Sequence, residues 1–124
     1  MAPDEEYEQG IDRWYDKILA EYARFAALLT EELRQEFADE SLHTSREQSF
    51  FLECTMYIRE GEKRLRRYQS GRVRLSPDLD PDKRREVIFL DKVHKEHLTG
   101  HYQGDKMYLE DLIARSRKGG APKT

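Results

Sequence analysis

The sequence contains one cysteine and no long apolar run. Because Cys54 is the only cysteine of the sequence, the chain cannot form an intrachain disulfide or a zinc site built from several cysteines. We interpret Cys54 as a small buried side chain, since it lies in an apolar stretch. No apolar segment approaches the roughly 20 residues that span a bilayer, and the acidic N-terminus lacks the shape of a signal peptide. We therefore expect a cytoplasmic protein that does not enter a membrane.

Patterns typical of β-strands are also missing. The sequence shows neither alternation of β-branched and polar residues nor an Asn-Gly hairpin turn. Charged residues make up 38% of the chain and hydrophobic residues 37%. Ordinary globular domains are only about 25% charged. This balance predicts a thin core, arranged as apolar stripes along helices.

Apolar residues that recur three and four positions apart predict three long helices. The first helix is predicted over about residues 7–37, with its apolar stripe along one side. The second is predicted over about residues 45–70. It follows the sequence Thr44-Ser45-Arg46-Glu47, a pattern that caps the N-terminus of a helix.

The third helix has a clear predicted start and an ambiguous middle. Asp80 and Pro81 mark the start, because Asp is favoured as the N-cap and Pro at the first helical position. Further on, Gly100 and Gly104 favour a kink or a break. The third helix is therefore predicted either as one kinked element or as two shorter ones.

Short connections between the predicted helices favour antiparallel packing of neighbours. We therefore predict an all-α fold, an up-down-up bundle of three long antiparallel helices. Residues 7–117 would form a single helical domain. Disordered segments are predicted on either side of it, at residues 1–6 and 118–124.

The apolar stripe of the first helix is rich in aromatic residues. One interpretation is a packed core; the other is a docking face, because Trp and Tyr dominate the energetically important positions of interfaces. A helix of this length is not fully covered by two shorter ones, so both interpretations remain open. The predicted partner-binding residues are Trp14, Tyr15, Tyr22, Phe25, Phe50 and Phe51.

Charge is unevenly distributed along the chain. Residues 1–40 contain twelve acidic and four basic residues, whereas residues 63–74 contain six basic residues and no acidic one. A dense basic segment can pair with acidic residues of the same chain, with an acidic protein partner or with nucleic acid. The predicted patch consists of Lys63, Arg64, Arg66, Arg67, Arg72 and Arg74.

Three of the four histidines recur at helical spacing, at His94, His97 and His101. With Val87 and Leu90 they are predicted to share the seam where a bundle core expects apolar side chains. Imidazoles at a core edge favour a structural role. The alternatives are a metal-binding bundle, in which His97 and His101 chelate one ion, and a pH-sensitive or partner-facing contact.

The sequence lacks the glycine-rich loops that bind phosphates or stabilise oxyanions. We therefore do not expect an enzyme or a cofactor. The predicted function is a helical protein–protein interaction module, either a subunit or adaptor of a larger assembly or a homo-oligomer. A metal-binding bundle and a nucleic-acid-associated factor remain as alternatives.

Overall fold

The computed structural model describes the backbone of residues 3–37 and 45–119, and the side chains of residues 3–31 and 52–114. Three helices form the fold: α1 (Pro3–Phe37), α2 (Ser45–Ser70) and α3 (Pro81–Gly119). Within the described backbone there are no strands. The predicted all-α fold of three long helices is therefore confirmed.

Contacts between α1 and α2 show that these two helices are antiparallel. Arg72, just beyond the end of α2, is bonded to Glu8 near the start of α1. Gly61, near the middle of α2, packs against Tyr22 in the middle of α1. Moving forward along α1 thus means moving backward along α2.

Contacts of α3 show that it runs parallel to α1. The hydroxyl group of Tyr7 donates a hydrogen bond to Asp91, and that of Tyr22 donates one to Asp105. Both helices therefore advance in the same direction, with α2 running against them. The predicted up-down-up arrangement of antiparallel neighbours is confirmed.

The core is formed by apolar stripes from all three helices. In α1 the buried positions follow steps of three and four, as expected for one face of a helix. α2 and α3 contribute matching stripes with smaller side chains. The core residues are Ile11, Tyr15, Ile18, Tyr22, Phe25, Leu29, Cys54, Ile58, Leu65, Leu98, Tyr102, Leu109, Leu112 and Ile113.

Three of the predicted partner-binding residues belong to this core. Tyr15, Tyr22 and Phe25 are at most 2% exposed, because α2 and α3 cover the stripe of α1 within this chain. Their assignment to a docking face was wrong, and the packed-core interpretation holds for them. The side chains of Phe50 and Phe51 lie outside the described residues.

The helix ends differ in part from the predictions. Lys83 donates its backbone N–H to the Asp80 carboxylate at 2.9 Å, which confirms the predicted N-cap of α3. α1 begins at Pro3, so residues 3–6 form its first turn rather than a disordered segment. Acidic side chains in this turn interact favourably with the positive end of the helix dipole.

α3 is continuous from Pro81 to Gly119, so neither Gly100 nor Gly104 breaks it. It also includes positions 118 and 119, which the sequence placed in a disordered tail; residues 120–124 lie outside the described residues. In the described part of the chain, no helix has an apolar segment long enough to cross a membrane.

Candidate interaction surfaces

Three charged side chains are buried where α1, α3 and the connection between α2 and α3 meet. The guanidinium of Arg72 donates two hydrogen bonds to Glu8, both at 2.9 Å, and two to Asp91, both at 2.8 Å. The side chains of Arg72, Glu8 and Asp91 are 3%, 8% and 7% exposed. Paired parallel bonds of this kind are the strongest geometry available to arginine.

Further donors complete this buried ionic cluster. The Tyr7 hydroxyl group donates to Asp91 at 2.8 Å, and the backbone N–H of Leu75 donates to Glu8 at 3.2 Å. Each of the four carboxylate oxygens of Glu8 and Asp91 therefore accepts at least one hydrogen bond. Buried carboxylates are tolerated when they are paired and bonded in this way.

The cluster displaces the pKa values of Glu8, Arg72 and Tyr7 away from neutrality. Burial raises the pKa of Glu8, but the bonds from Arg72 and Leu75 outweigh it and hold that pKa below its ordinary value. The bond to Asp91 raises the pKa of Arg72 against the effect of burial. Burial, followed by the bond to Asp91, raises the pKa of Tyr7. Glu8 and Arg72 therefore remain charged and Tyr7 remains neutral near pH 7, which suits a structural junction rather than proton transfer.

This cluster was not predicted from the sequence, because its three residues are far apart in the chain. One signal was present: Asp91 lies at a core position of α3, four residues after Val87 and seven before Leu98. An acidic residue on a buried stripe requires a buried basic partner. The sequence did not indicate which arginine would supply it.

The predicted basic patch is therefore only partly available at the surface. Arg72 is buried in the cluster, and Arg74 pairs with Asp12 at 3.0 Å. A guanidinium nitrogen of Arg64 lies 4.0 Å from the Asp105 carboxylate. Pairing within the chain thus accounts for half of the patch. Lys63, Arg66 and Arg67 are exposed, and the paired Arg74 is also 63% exposed.

The histidines lie beside the buried seam of α3 rather than in it. His94 is half-buried against Tyr68, with ring centroids 4.8 Å apart. His97 and His101 are exposed and their rings meet edge-on, with centroids 4.5 Å apart. The seam prediction was wrong for the histidines and for Leu90, because burial of Leu98 and Tyr102 sets a register that places Asp91 in the core. The buried seam is Val87, Asp91, Leu98, Tyr102, Leu109 and Leu112.

The metal-binding alternative finds no support in this arrangement. Among residues 3–31 and 52–114, no three His, Cys, Asp or Glu side chains are grouped so that they could hold a metal ion. Partial burial, followed by the nearby charge of Arg64, lowers the pKa of His101. That direction keeps the imidazole of His101 neutral at physiological pH.

A second polar contact fixes the middle of the bundle. The Tyr22 hydroxyl group donates to Asp105 at 2.6 Å, and the Tyr22 ring meets Tyr102 edge-on at 5.4 Å. On its other side the ring lies directly against the backbone at Gly61. A Cβ atom at Gly61 would lie 2.3 Å from Cζ of Tyr22, so only glycine fits without movement.

The parallel helices α1 and α3 leave an open groove between them, with a cavity volume of about 590 Å³. Its apolar lining includes Tyr7 and Ile11 of α1 and Ile88 of α3. Lys92 and Lys95 lie along its α3 side. The groove therefore combines apolar side chains with a charged rim that contains Lys92, Lys95 and Glu96.

Trp14 stands beside this groove. It lies two helical turns beyond Tyr7, on the same side of α1. Lys95, which lines the groove, holds its ammonium 5.6 Å from the centroid of the Trp14 ring. Among the described members of the predicted partner-binding set, Trp14 is the one that is not fully buried.

α3 also carries apolar side chains on the face turned away from the bundle. Phe89 is 63% exposed and Met107 is 72% exposed, with Val93 also exposed between them. This surface was not predicted from the sequence. The signal was an excess of apolar residues in α3, which cannot all lie on the single stripe that includes Leu98.

No protein-family model, curated protein or solved structure matches this chain. What the protein does must therefore be inferred from its own residues. The ionic cluster and the contact of Tyr22 are internal and hold the helices together. The groove and the outward face of α3 are two apolar surfaces that remain open to another molecule, and Leu52 and Met56 of α2 are exposed as well.

Proposed function

We propose that the protein is a helical protein–protein interaction module that accepts a helix of a partner protein in the groove between α1 and α3. The groove itself is the observation that carries this proposal, because it exposes apolar side chains between two parallel helices. Docking of an amphipathic helix into such a groove is a common mode of recognition. A docked helix would complete a four-helix bundle.

The lining of the groove indicates the chemistry of this partner. Tyr7 and Ile88 would contact an apolar stripe on the partner helix, above the buried Ile11. Lys92 and Lys95 would face acidic residues beside that stripe, which orient the helix and speed its association. We therefore propose a partner helix with one apolar face and an acidic flank.

Trp14 is the proposed energetic anchor of this interface. Tryptophan is enriched among residues that contribute most to binding, and Lys95 already orders the ring from one side. In this proposal Trp14 retains the partner-binding role predicted from the sequence. Tyr15, Tyr22 and Phe25 support it from the core, and the protein acts in the cytoplasm as a subunit or adaptor.

The proposed role is not catalytic. Burial raises the pKa of the Cys54 thiol to about 11, so the nucleophilic thiolate is scarce at neutral pH. The buried carboxylates are already committed to Arg72. These features support a binding protein over an enzyme.

Site-specific photo-crosslinking in the native cells tests the groove. A benzophenone amino acid at position 88 should form an adduct with one partner, and the crosslinked peptide should be an amphipathic helix with acidic residues. Charge reversal at Lys92 and Lys95 should reduce the adduct at least tenfold. Leu52, exposed on α2, is the control position and should not give this adduct. Equal adducts from positions 88 and 52, or none from position 88, would contradict the proposal.

A further inference from the structure

The outward face of α3 is a surface distinct in character from the groove. Phe89, Val93, Gly100, Gly104 and Met107 follow helical steps and lie opposite the buried seam. Across these positions the strip is roughly 27 Å long, at 1.5 Å per residue. A Cβ atom at Gly100 or at Gly104 would have no neighbour within 4 Å in the described part of the chain.

We infer that this strip is a self-association surface that pairs α3 with α3 of a second copy in antiparallel orientation. The inference does not rest on the proposed function, because it concerns a different partner. The strip borders the groove, and Gly100 lines both. Its basis is the exposure of Phe89, Val93 and Met107, together with the way bulk and charge are arranged along the strip.

The two ends of the strip are complementary in shape. Phe89 and Val93 are four residues apart and bulky, whereas Gly100 and Gly104 are four residues apart and flat. When a two-fold axis passes between positions 96 and 97, Phe89 of one copy lies opposite Gly104 of the other. Val93 then lies opposite Gly100, and the two-fold axis repeats both contacts.

Charge favours the same orientation. Arg85 and Glu110 are exposed on one flank of the strip, near its opposite ends, and Arg85 also pairs with the exposed Asp82 of its own helix. In the antiparallel pair this flank meets its own copy, so Arg85 of each molecule faces Glu110 of the other. The two copies of Glu96 approach each other near the axis, and Lys92, one turn away on the same flank, offsets that repulsion.

These features select a second copy over an unrelated partner. An unrelated helix could be complementary to the bulky end or to the flat end. A second copy is complementary to both, because the two-fold axis brings each end against the other. Parallel pairing is also disfavoured, because it sets Phe89 against Phe89 and leaves a gap at Gly100. The antiparallel pair is the arrangement that fills the glycine end and pairs the charges.

Sedimentation equilibrium over a range of concentrations tests this inference on the full chain. The average mass should rise from 14.8 kDa toward twice that value as concentration increases. Phe89→Glu should weaken association at least tenfold without loss of helix content. Met56→Glu, a change at an exposed apolar residue of α2, is the matched control and should leave association unchanged.

A charge exchange distinguishes the proposed antiparallel register from nonspecific association. Arg85→Glu and Glu110→Arg should each weaken the dimer severalfold, and the double variant should recover it. A mass that stays at 14.8 kDa at every concentration would overturn the inference. A dimer that Phe89→Glu leaves intact, or that the double charge variant fails to recover, would overturn it equally.

Discussion

Replacement of Arg72 by methionine is expected to lower the free energy of unfolding by about 3–5 kcal/mol. The substitution leaves Glu8 and Asp91 buried without the guanidinium that supplies four of their hydrogen bonds. An unpaired buried charge is the costliest consequence of breaking such a pair. Urea unfolding at pH 7 measures the loss. Arg66→Met, at an exposed position of α2, is the control and should change the free energy of unfolding by less than about 0.5 kcal/mol.

Lowering the pH is a second way to test how much the same cluster contributes to stability. The pKa of Glu8 is lower in the folded chain than its ordinary value of 4.5. Its contribution to stability is therefore present above about pH 4.5 and is lost as pH falls through the lowered pKa. The Arg72→Met variant has already lost the contribution at pH 7, so the gap between variant and parent should narrow in acid. A cost below about 1 kcal/mol at pH 7, with no narrowing, would show that water reaches the cluster.

Replacement of Gly61 by alanine is expected to lower the free energy of unfolding by about 1–3 kcal/mol, the usual cost of overpacking. The new methyl group would overlap the ring of Tyr22, which is 1% exposed and is bonded to Asp105. The ring therefore has no free space to enter. This expectation reverses the general rule, since alanine in place of glycine inside a helix usually stabilises by about 1 kcal/mol. Thermal unfolding monitored by circular dichroism measures the change.

Gly10→Ala is the matched control for this substitution. The nearest neighbour of its new methyl group is the flexible end of Arg13, at 4.0 Å, so Gly10→Ala should be neutral or stabilising. A double-mutant cycle with Tyr22→Leu isolates the clash, because Gly61→Ala should cost much less when the ring is absent. Stabilisation by Gly61→Ala in the parent would mean that the two helices are not in close contact at this point.

The fold was largely predictable because its signals are local. Apolar spacing places the helices, and Asp80 with Pro81 places the start of α3. Local signals do not reveal which helix covers a stripe, and for this reason Tyr22 and Phe25 were assigned to a partner interface. The glycines at 100 and 104 lower helix propensity by only about 1 kcal/mol each, which the remainder of a long helix can offset.

The surfaces were less predictable because they depend on contacts between distant residues. Arg72 resembled its neighbours in a basic run, and only the approach of α1 and α3 distinguishes it from exposed Arg66 and Arg67. The register of α3 was ambiguous because two stripes one position apart both contain apolar residues. In the structure the stripe that contains Leu98 and Tyr102 is buried, and the histidines therefore lie at the edge of the core.

Hydroxyl-radical footprinting of the intact chain at high dilution tests the central claim most directly. That claim is that α1 uses its aromatic stripe for the core, whereas Phe89 and Met107 of α3 remain exposed. Relative to the unfolded chain, Tyr22 and Phe25 should be strongly protected from oxidation, whereas Phe89 and Met107 should react almost at the unfolded rate. Rapid oxidation of Tyr22 and Phe25 together with protection of Phe89 would contradict it.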